Sequence, residues 1–348
     1  MAFATPLYPR SQVDKAGVIL VDSKAPWDAH VWALQVINNW RSSHTFPLNN
    51  FQTNLRSKVK KIQPGVLVAQ RIKRLESIAA KLTRDQTSTM QLSQMQDIGG
   101  CRAIVKSPLN VARLVHAYKN TRFNHRLKSE KDYIKFPKDD GYRGYHLIYQ
   151  YQSLPDQNAA YDKLRIEIQI RTALQHAWAT AVEAVGTFTK QALKSAQGDE
   201  EWRRLFALMG SAIALIEKGP LVPDTPSDPI ELRDELRQLA TKLNAVRTLG
   251  AYRVALDYIG TLNQRASKYF LVRYDSKENK VWVSGYAANA SEQANLAYTQ
   301  QESNKQEGDN IVLVSVSSLK ALTRAYPNYF LDTREFTDLL TRTLSPPS

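Results

Sequence analysis

Leu164-Arg165-Ile166-Glu167-Ile168-Gln169-Ile170-Arg171 alternates apolar and polar residues without a break. Alternation with period two places Leu164, Ile166, Ile168 and Ile170 on one face of a β-strand and Arg165, Glu167, Gln169 and Arg171 on the other. The apolar face must pack on a core. The second face carries a carboxylate flanked by cations, and it is open to two readings: an ordinary solvated face, or a site for metal and phosphate.

Three upstream segments bear on that choice. Gln96-Asp97-Ile98-Gly99-Gly100-Cys101-Arg102-Ala103-Ile104-Val105 sets an acid before a Gly-Gly pair and opens a short apolar strand with an arginine. Glycines let the backbone approach a ligand, although the same pattern also suits a plain turn between helix and strand. The run from Arg71 to Arg84 predicts a helix, with Lys73, Ser77, Lys81 and Arg84 along one side. Like charges at that spacing repel unless an anion sits among them, and a solvated basic face is the competing reading. Lys131 to His146 mixes Lys, Gly, Tyr and His in a loop that runs into a strand over Leu147 to Tyr151.

In order and interval these four segments resemble the synthetase domain of the RelA/SpoT family, which makes the alarmone (p)ppGpp. The resemblance covers roughly residues 45–185 and rests on DIGGCR, KDYIKFPKDDGYRGYH and EIQIRTALQHAW. It implies an α+β fold, a mixed β-sheet flanked by helices of nucleotidyltransferase-like type. It also implies a pyrophosphokinase that moves the β,γ-pyrophosphate of ATP to a ribose 3′-hydroxyl and releases AMP. Carried over by motif, Arg71 and Arg102 match the arginines on the two faces of the ATP adenine, where flat guanidinium planes stack well. Lys73, Ser77, Lys81 and Arg84 match the residues that hold the ATP phosphates. Asp97 matches the Mg2+-binding aspartate, and Glu167 the second catalytic acid, either a metal ligand or the base for the acceptor hydroxyl. Tyr142 matches the tyrosine that stacks on the acceptor base, and His146, Gln169 and Arg171 match its neighbours.

One departure concerns the acceptor. Housekeeping members carry Asn before the Gly-Tyr of the acceptor loop, where this chain has Asp140. An ionised carboxylate accepts hydrogen bonds but donates none. The DDGYRGYH form resembles the toxic small alarmone synthetases, among which some make ppApp and others pyrophosphorylate the CCA end of tRNA. The chain carries a net charge of +14, and residues 1–219 hold 32 Lys and Arg against 18 Asp and Glu, while 220–348 hold 15 of each. All the excess therefore lies in the catalytic part, where Lys58, Lys60, Lys61, Arg113, Lys119, Arg122, Arg126 and Lys128 offer a wider basic surface for a tRNA backbone. The expected acceptor is tRNA. A free (p)ppGpp or ppApp synthetase acting on GDP, GTP or adenine nucleotides is the alternative.

At 348 residues with 43% hydrophobic content, two domains can each bury a core. Residues 220–229 contain four prolines and read as a linker between a domain at 1–219 and a regulatory domain at 230–348. Beyond the linker the pattern predicts helices over about 230–248 and 252–267, and strands at Tyr269–Tyr274, Lys280–Gly285 and Asn310–Ser315. It also predicts helices over about 290–307 and 318–325. Near the N-terminus Trp27, Val31, Leu34, Ile37 and Trp40 share helical spacing and read as core. Met1 to Ser11 has no charged and apolar leader pattern, no apolar run is long enough to span a membrane, and a single cysteine forms no internal disulfide; the expected location is the cytoplasm.

Tyr326-Pro327-Asn328-Tyr329 supplies a Y-x-x-Y element in the second half. It resembles the capsid-sensing fused toxin–antitoxin (CapRel) group, in which a toxic synthetase is joined to an antitoxin-like, smaller α/β pseudo-zinc-finger domain. That resemblance implies that Tyr326 and Tyr329 block the adenine site and that a phage major capsid protein releases them. The plain alternative is two aromatics in a small core with a proline turning the chain.

Overall fold

A computed structural model describes residues 3–73, 75–83, 90–120, 123–154, 158–190, 197–250, 269–275, 280–290, 310–315 and 333–345, with 293, 294, 297, 300, 301 and 304. Contacts divide the chain into two compact units, Met1–Tyr133 with Gly144–Thr172, and Ile134–Arg143 with Ala173–Ser348.

The first unit opens with α1 (Arg10–Val21), α2 (Trp27–Ser43) and α3 (Thr45–Ile62). It continues through β1 (Leu67–Ile72), α4 (Leu75–Thr83), β2 (Gly99–Val105), α5 (Pro108–Lys119), β3 (Arg126–Asp132), β4 (Tyr145–Gln150) and β5 (Arg165–Thr172). The sheet order is β1-β2-β5-β4-β3, with β2 and β5 parallel and the other pairs antiparallel. This is the expected α+β arrangement with a mixed sheet. Ile166, Ile168 and Ile170 of β5 are fully buried, as the alternation requires, together with Cys101, Ala103 and Val105 of β2. Helices α3 and α5 cover that face with Leu48, Phe51, Leu55 and Val59 and with Val111, Leu114 and Tyr118, each set at helical spacing. Gly99 shares this face by alternation, and a Cβ there would sit 2.8 Å from Ile166 Cδ1 and 3.3 Å from His44 Cβ.

Three expectations change. The helix placed over 71–84 begins only at Leu75. Arg71 and Ile72 close β1, paired with Gly100 and Gly99, so ladder pairing with β2 overrides the local helical pattern. The second face of β5 is not solvated: Glu167 and Arg171 are buried. In α2 only the later part of the apolar stripe is core, since Ile37 and Trp40 are buried while Trp27 is 81% exposed.

The second unit contains the Ile134–Arg143 loop, α6 (Ala173–Lys190), α7 (Gln197–Glu217), α8 (Pro229–Lys242), β6 (Tyr269–Asp275), β7 (Lys280–Tyr286), β8 (Asn310–Ser315) and α9 (Thr333–Leu344). Trp178, Trp202, Phe206, Met209, Leu232, Leu236, Phe336, Leu339 and Leu340 share its helical core. The stretch 220–229 is packed rather than free: Val222 is buried and its N–H donates to Ser211 Oγ at 2.8 Å. Arg204 donates to the Asp224 carbonyl at 2.6 Å and grips both oxygens of Glu235. Asp228 caps α8 through Glu231 N–H, with Pro229 at the first helical position. The helix expected to reach residue 248 breaks at Asn244, where φ is +48°, and resumes over 245–250. The expected hairpin and third strand form an antiparallel sheet in the order β7-β6-β8. The helices expected over 252–267 and 318–325, Arg84, Tyr326 and Tyr329 lie outside the described residues.

Candidate active site

The polar face of the first unit's sheet is organised by register. One row across neighbouring strands runs Lys131, His146, Gln169, Arg102 and Ala69; the next runs Ser129, Ile148, Glu167, Gly100 and Arg71. Residues directly paired in a sheet share a face, so Arg71, Arg102, His146, Glu167 and Gln169 rise from one surface. Gly100 keeps the middle of the second row open: the nearest atom to a Cβ there would be the Glu167 carbonyl oxygen at 3.8 Å.

Asp97 stands just before β2. Its Oδ2 accepts from Lys73 Nζ at 2.7 Å and its Oδ1 from Lys81 Nζ at 2.9 Å. The backbone presents Lys73 firmly, since its N–H donates to the Ile98 carbonyl at 2.8 Å and its own carbonyl accepts from Arg41 Nε at 2.9 Å. Lys81 comes from α4, one turn after Ser77. Burial pushes the Asp97 carboxyl upward, but the two ammonium groups outweigh it and hold the pKa at about 2.

Glu167 is held differently. His146 Nδ1 donates to its Oε1 at 2.8 Å and Gln169 Nε2 to its Oε2 at 2.7 Å. Burial raises the Glu167 carboxyl, yet these hydrogen bonds and the His146 ring leave it below the usual carboxylate range. Burial also lowers His146, assisted by the Arg171 and Arg102 charges and opposed by Glu167. The pair is thus a neutral imidazole donating to a carboxylate. Arg102 is buried and gives Nε and Nη2 to Gln169 Oε1 at 3.1 and 2.9 Å, while Arg171 Nη2 reaches the same oxygen at 3.4 Å.

The structure therefore brings together Lys73, Lys81 and Asp97, and separately links His146, Glu167, Gln169, Arg102 and Arg171. Arg71 shares their face on the edge strand β1. Tyr142 belongs to the second unit, where its ring meets Trp178 edge-on at 6.1 Å and lies under Lys138 Nζ at 5.5 Å. Asp140 Oδ1 accepts from Tyr142 N–H at 2.9 Å and so forms the turn that presents the tyrosine. Sequence reading missed two supports. Arg41 fixes the Lys73 carbonyl, and Arg143, fully buried, donates to the Pro220 and Ile134 carbonyls at 2.7 and 2.9 Å. The arginine between two glycines in Gly141-Tyr142-Arg143-Gly144 was the only signal for the second.

Residues 70–192 match the family model described as a region found in RelA/SpoT proteins. Over this segment the chain is similar to RelA/SpoT proteins. GTP pyrophosphokinase YjbM of Bacillus subtilis is 33% identical to it over 118 residues, 34% of this chain and 54% of that protein. GTP pyrophosphokinase YwaC of the same organism is 34% identical over 113 residues, 32% of this chain and 52% of that protein. The chain thus spans about half the length of these curated relatives. Among solved structures, small alarmone synthetase 1 of B. subtilis bound to its product pppGpp aligns at 24% identity over 52% of this chain and 94% of that one, with a TM-score of 0.41. The matched RelA/SpoT region runs from β1 to α6 and so includes Asp97, Glu167 and every site residue between Arg71 and Arg171. Among the described residues no helix is long and apolar enough to cross a membrane.

Proposed function

We propose that this polar face is the active site of an ATP-dependent pyrophosphokinase. The observation that carries the reading is a pair of ionised carboxylates, Asp97 and Glu167, beside two lysines that already hold an anion between them. A triphosphate offers the lysines oxygens of the same charge and hardness as those of Asp97, so Lys73 and Lys81 transfer to ATP and Asp97 is released. Asp97 would then supply a hard oxygen ligand for Mg2+, which usually takes one or two carboxylates alongside substrate phosphates. Bound there, Mg2+ would neutralise charge on the phosphate oxygens. Ser77 and Arg84 complete the phosphate set in this reading, with Arg71 and Arg102 on the adenine. The acceptor 3′-oxygen attacks the β-phosphorus, the bond from that phosphorus to the α,β-bridging oxygen breaks, AMP leaves with the electron pair, and Glu167 takes the hydroxyl proton. His146 and Arg171 contact the acceptor in this reading.

The proposed acceptor is the 3′ end of tRNA, supported by the confinement of the charge excess to residues 1–219. Part of the basic surface is engaged internally: Lys58 donates to the Ala117 carbonyl and Lys119 pairs with Glu130. A second reading, a free guanine nucleotide, is favoured by the relatives' being GTP pyrophosphokinases. The test offers GDP, ADP and deacylated tRNA side by side to full-length protein with ATP labelled in the β,γ-phosphates. Label on the tRNA 3′ end, falling steeply with salt, supports the first reading; label on GDP alone supports the second, and no label on any acceptor sinks the assignment.

The same reading makes the second half an antitoxin-like brake, with Tyr326 and Tyr329 in the place of the adenine and a phage major capsid protein as the releasing partner. It is supported by the neutral charge of residues 220–348 and the Y-x-x-Y spacing. Deletion after residue 220 is a poor test, because it strips Leu232, Leu236, Phe336 and Leu339 from a shared core. Tyr329→Ala in the full chain is the better one: toxicity without phage is expected, and a silent variant of an already active protein removes the brake from the reading.

A further inference from the structure

Gln169 joins Glu167 to Arg102. A glutamine side chain has one donor end and one acceptor end, a carboxylate only accepts, and a guanidinium only donates. Between Glu167 and Arg102 the amide is therefore satisfied in one orientation alone, with Nε2 at 2.7 Å from Glu167 Oε2 and Oε1 at 2.9 Å from Arg102 Nη2. The flipped amide would set oxygen against oxygen and nitrogen against nitrogen. Beyond Glu167 the path continues to His146 Nδ1 at 2.8 Å. His146, Gln169 and Arg102 sit directly opposite one another on β4, β5 and β2, so the backbone ladder fixes their spacing and only side chains move.

We propose that Gln169 is a positioning residue that couples occupancy of the donor-base position to the freedom of Glu167. When Arg102 turns to stack on the adenine, Gln169 Oε1 loses its two shorter donors and keeps only the longer contact from Arg171. The amide is then free to swing, and its hold on Glu167 Oε2 loosens. Glu167 becomes available to the acceptor hydroxyl once the donor is in place. This rests on the reading of Arg102 as a donor-base contact and of Glu167 as the base.

The test uses full-length protein and three variants, Gln169→Leu, Gln169→Glu and Gln169→Asn. Calorimetry gives the affinity of a non-hydrolysable ATP analogue with and without the acceptor that takes label, whether GDP or deacylated tRNA. In the wild type each ligand should tighten the other by at least about 5-fold. In Gln169→Leu that factor should fall to about 1 while the analogue alone binds within about 3-fold of wild type. Gln169→Glu, whose ionised side chain cannot donate to Glu167, should lose the coupling as well. Gln169→Asn, too short to reach both partners, should not rescue the coupling. A wild type that binds the analogue but shows no mutual tightening, or a Gln169→Leu that keeps it, overturns this role alone. A wild type that binds no analogue overturns the functional reading and the coupling with it.

Discussion

On the first unit's sheet, Asp97 lies between two ammonium groups and Glu167 between an imidazole and an amide, so charge and hydrogen bonding hold the site. The Ile134–Arg143 loop of the second unit holds Tyr142 by shape. Gly141, at φ +93°, leaves no room for a side chain: a Cβ there would lie 2.6 Å from the Phe206 carbonyl oxygen and 3.0 Å from Trp178. Gly210 approaches Gly141 equally closely from α7, and buried Arg143 ties the end of the loop to the Pro220 carbonyl. Electrostatic holding can be exchanged for a ligand's own charges; steric holding cannot. Under the proposed function the first region would rearrange to take the phosphates of ATP, whereas the second presents one ring in one place.

The largest effects should come from the charged region and appear in activity. Asp97→Asn and Glu167→Gln should each lower transfer by about a thousandfold or more, roughly 4 kcal/mol of barrier. Their stabilities should differ. Asp97→Asn leaves Lys73 and Lys81 side by side with no countercharge and should cost about 2–3 kcal/mol in denaturant unfolding. Glu167→Gln keeps its size, and only one neighbouring donor loses its acceptor, for about 1 kcal/mol. Equal loss of stability in the two would undo the contrast between ion pairing and neutral hydrogen bonding.

Gly141→Ala should do the reverse. A left-handed backbone costs an L-residue about 1–2 kcal/mol and overpacking adds about 1–3. A loss of roughly 3 kcal/mol or more is expected, independent of pH and salt. A variant as stable as wild type would mean that the loop is not held by shape.

These two regions were unequally legible. The Ile166-Ile168-Ile170 face of β5 and the bounds of β6, β7 and β8 follow from alternation, and the Asp97 and Glu167 motifs stand out as sequence. Strand β3, Arg-Leu-Lys-Ser-Glu-Lys-Asp, has no alternation to read because it is an exposed edge. Arg71 was misread because its strand pairing is with a segment almost thirty residues away. Helix α9 is not legible in sequence although Phe336, Leu339 and Leu340 share one stripe, because its buried face is defined by packing on α6, α7 and α8. The prolines of 220–229 signal irregular backbone, and irregular backbone was mistaken for a free linker. In the site, hydrogen bonds such as Arg41 to Lys73 and Arg143 to Pro220 cross 32 and 77 residues, beyond any local pattern.

A smaller effect separates the regions by pH. The Asp97 pKa is depressed from 3.8 to about 2, so the folded state binds its proton less readily than the unfolded chain. Its contribution, about 2 kcal/mol, is fully present above pH ~4 and is lost as pH falls toward 2. His146 adds a loss in the same direction. Burial lowers its pKa below 6.5, so the unfolded chain takes up the proton first and stability declines as pH drops below that value. Unfolding followed between pH 7 and 2 should therefore show a slope that Asp97→Asn flattens in its acid part and Gly141→Ala leaves unchanged. An unaltered slope in Asp97→Asn would remove the ion pair as its source.

The smallest effect concerns Asp140, where the two modes of holding meet. One carboxylate oxygen makes the turn to Tyr142 N–H, and that task needs only an acceptor. Asn offers the same acceptor through its amide oxygen, so Asp140→Asn should change stability by less than about 0.5 kcal/mol, whereas Asp140→Ala should cost about 1. What Asn alters is the second oxygen, which becomes a donor and loses its charge. If that group reads the acceptor base, Asp140→Asn should shift the partition of labelled pyrophosphate between GDP and deacylated tRNA toward GDP. The turn already fixes the side chain, so the group has little freedom to follow a base, and the shift should stay below about 10-fold, worth some 1.4 kcal/mol. A shift of a hundredfold would make Asp140 the principal determinant of acceptor choice. No shift at all would leave it a turn residue, with selectivity residing in the surface that Lys60, Lys61, Arg113, Arg126 and Lys128 provide.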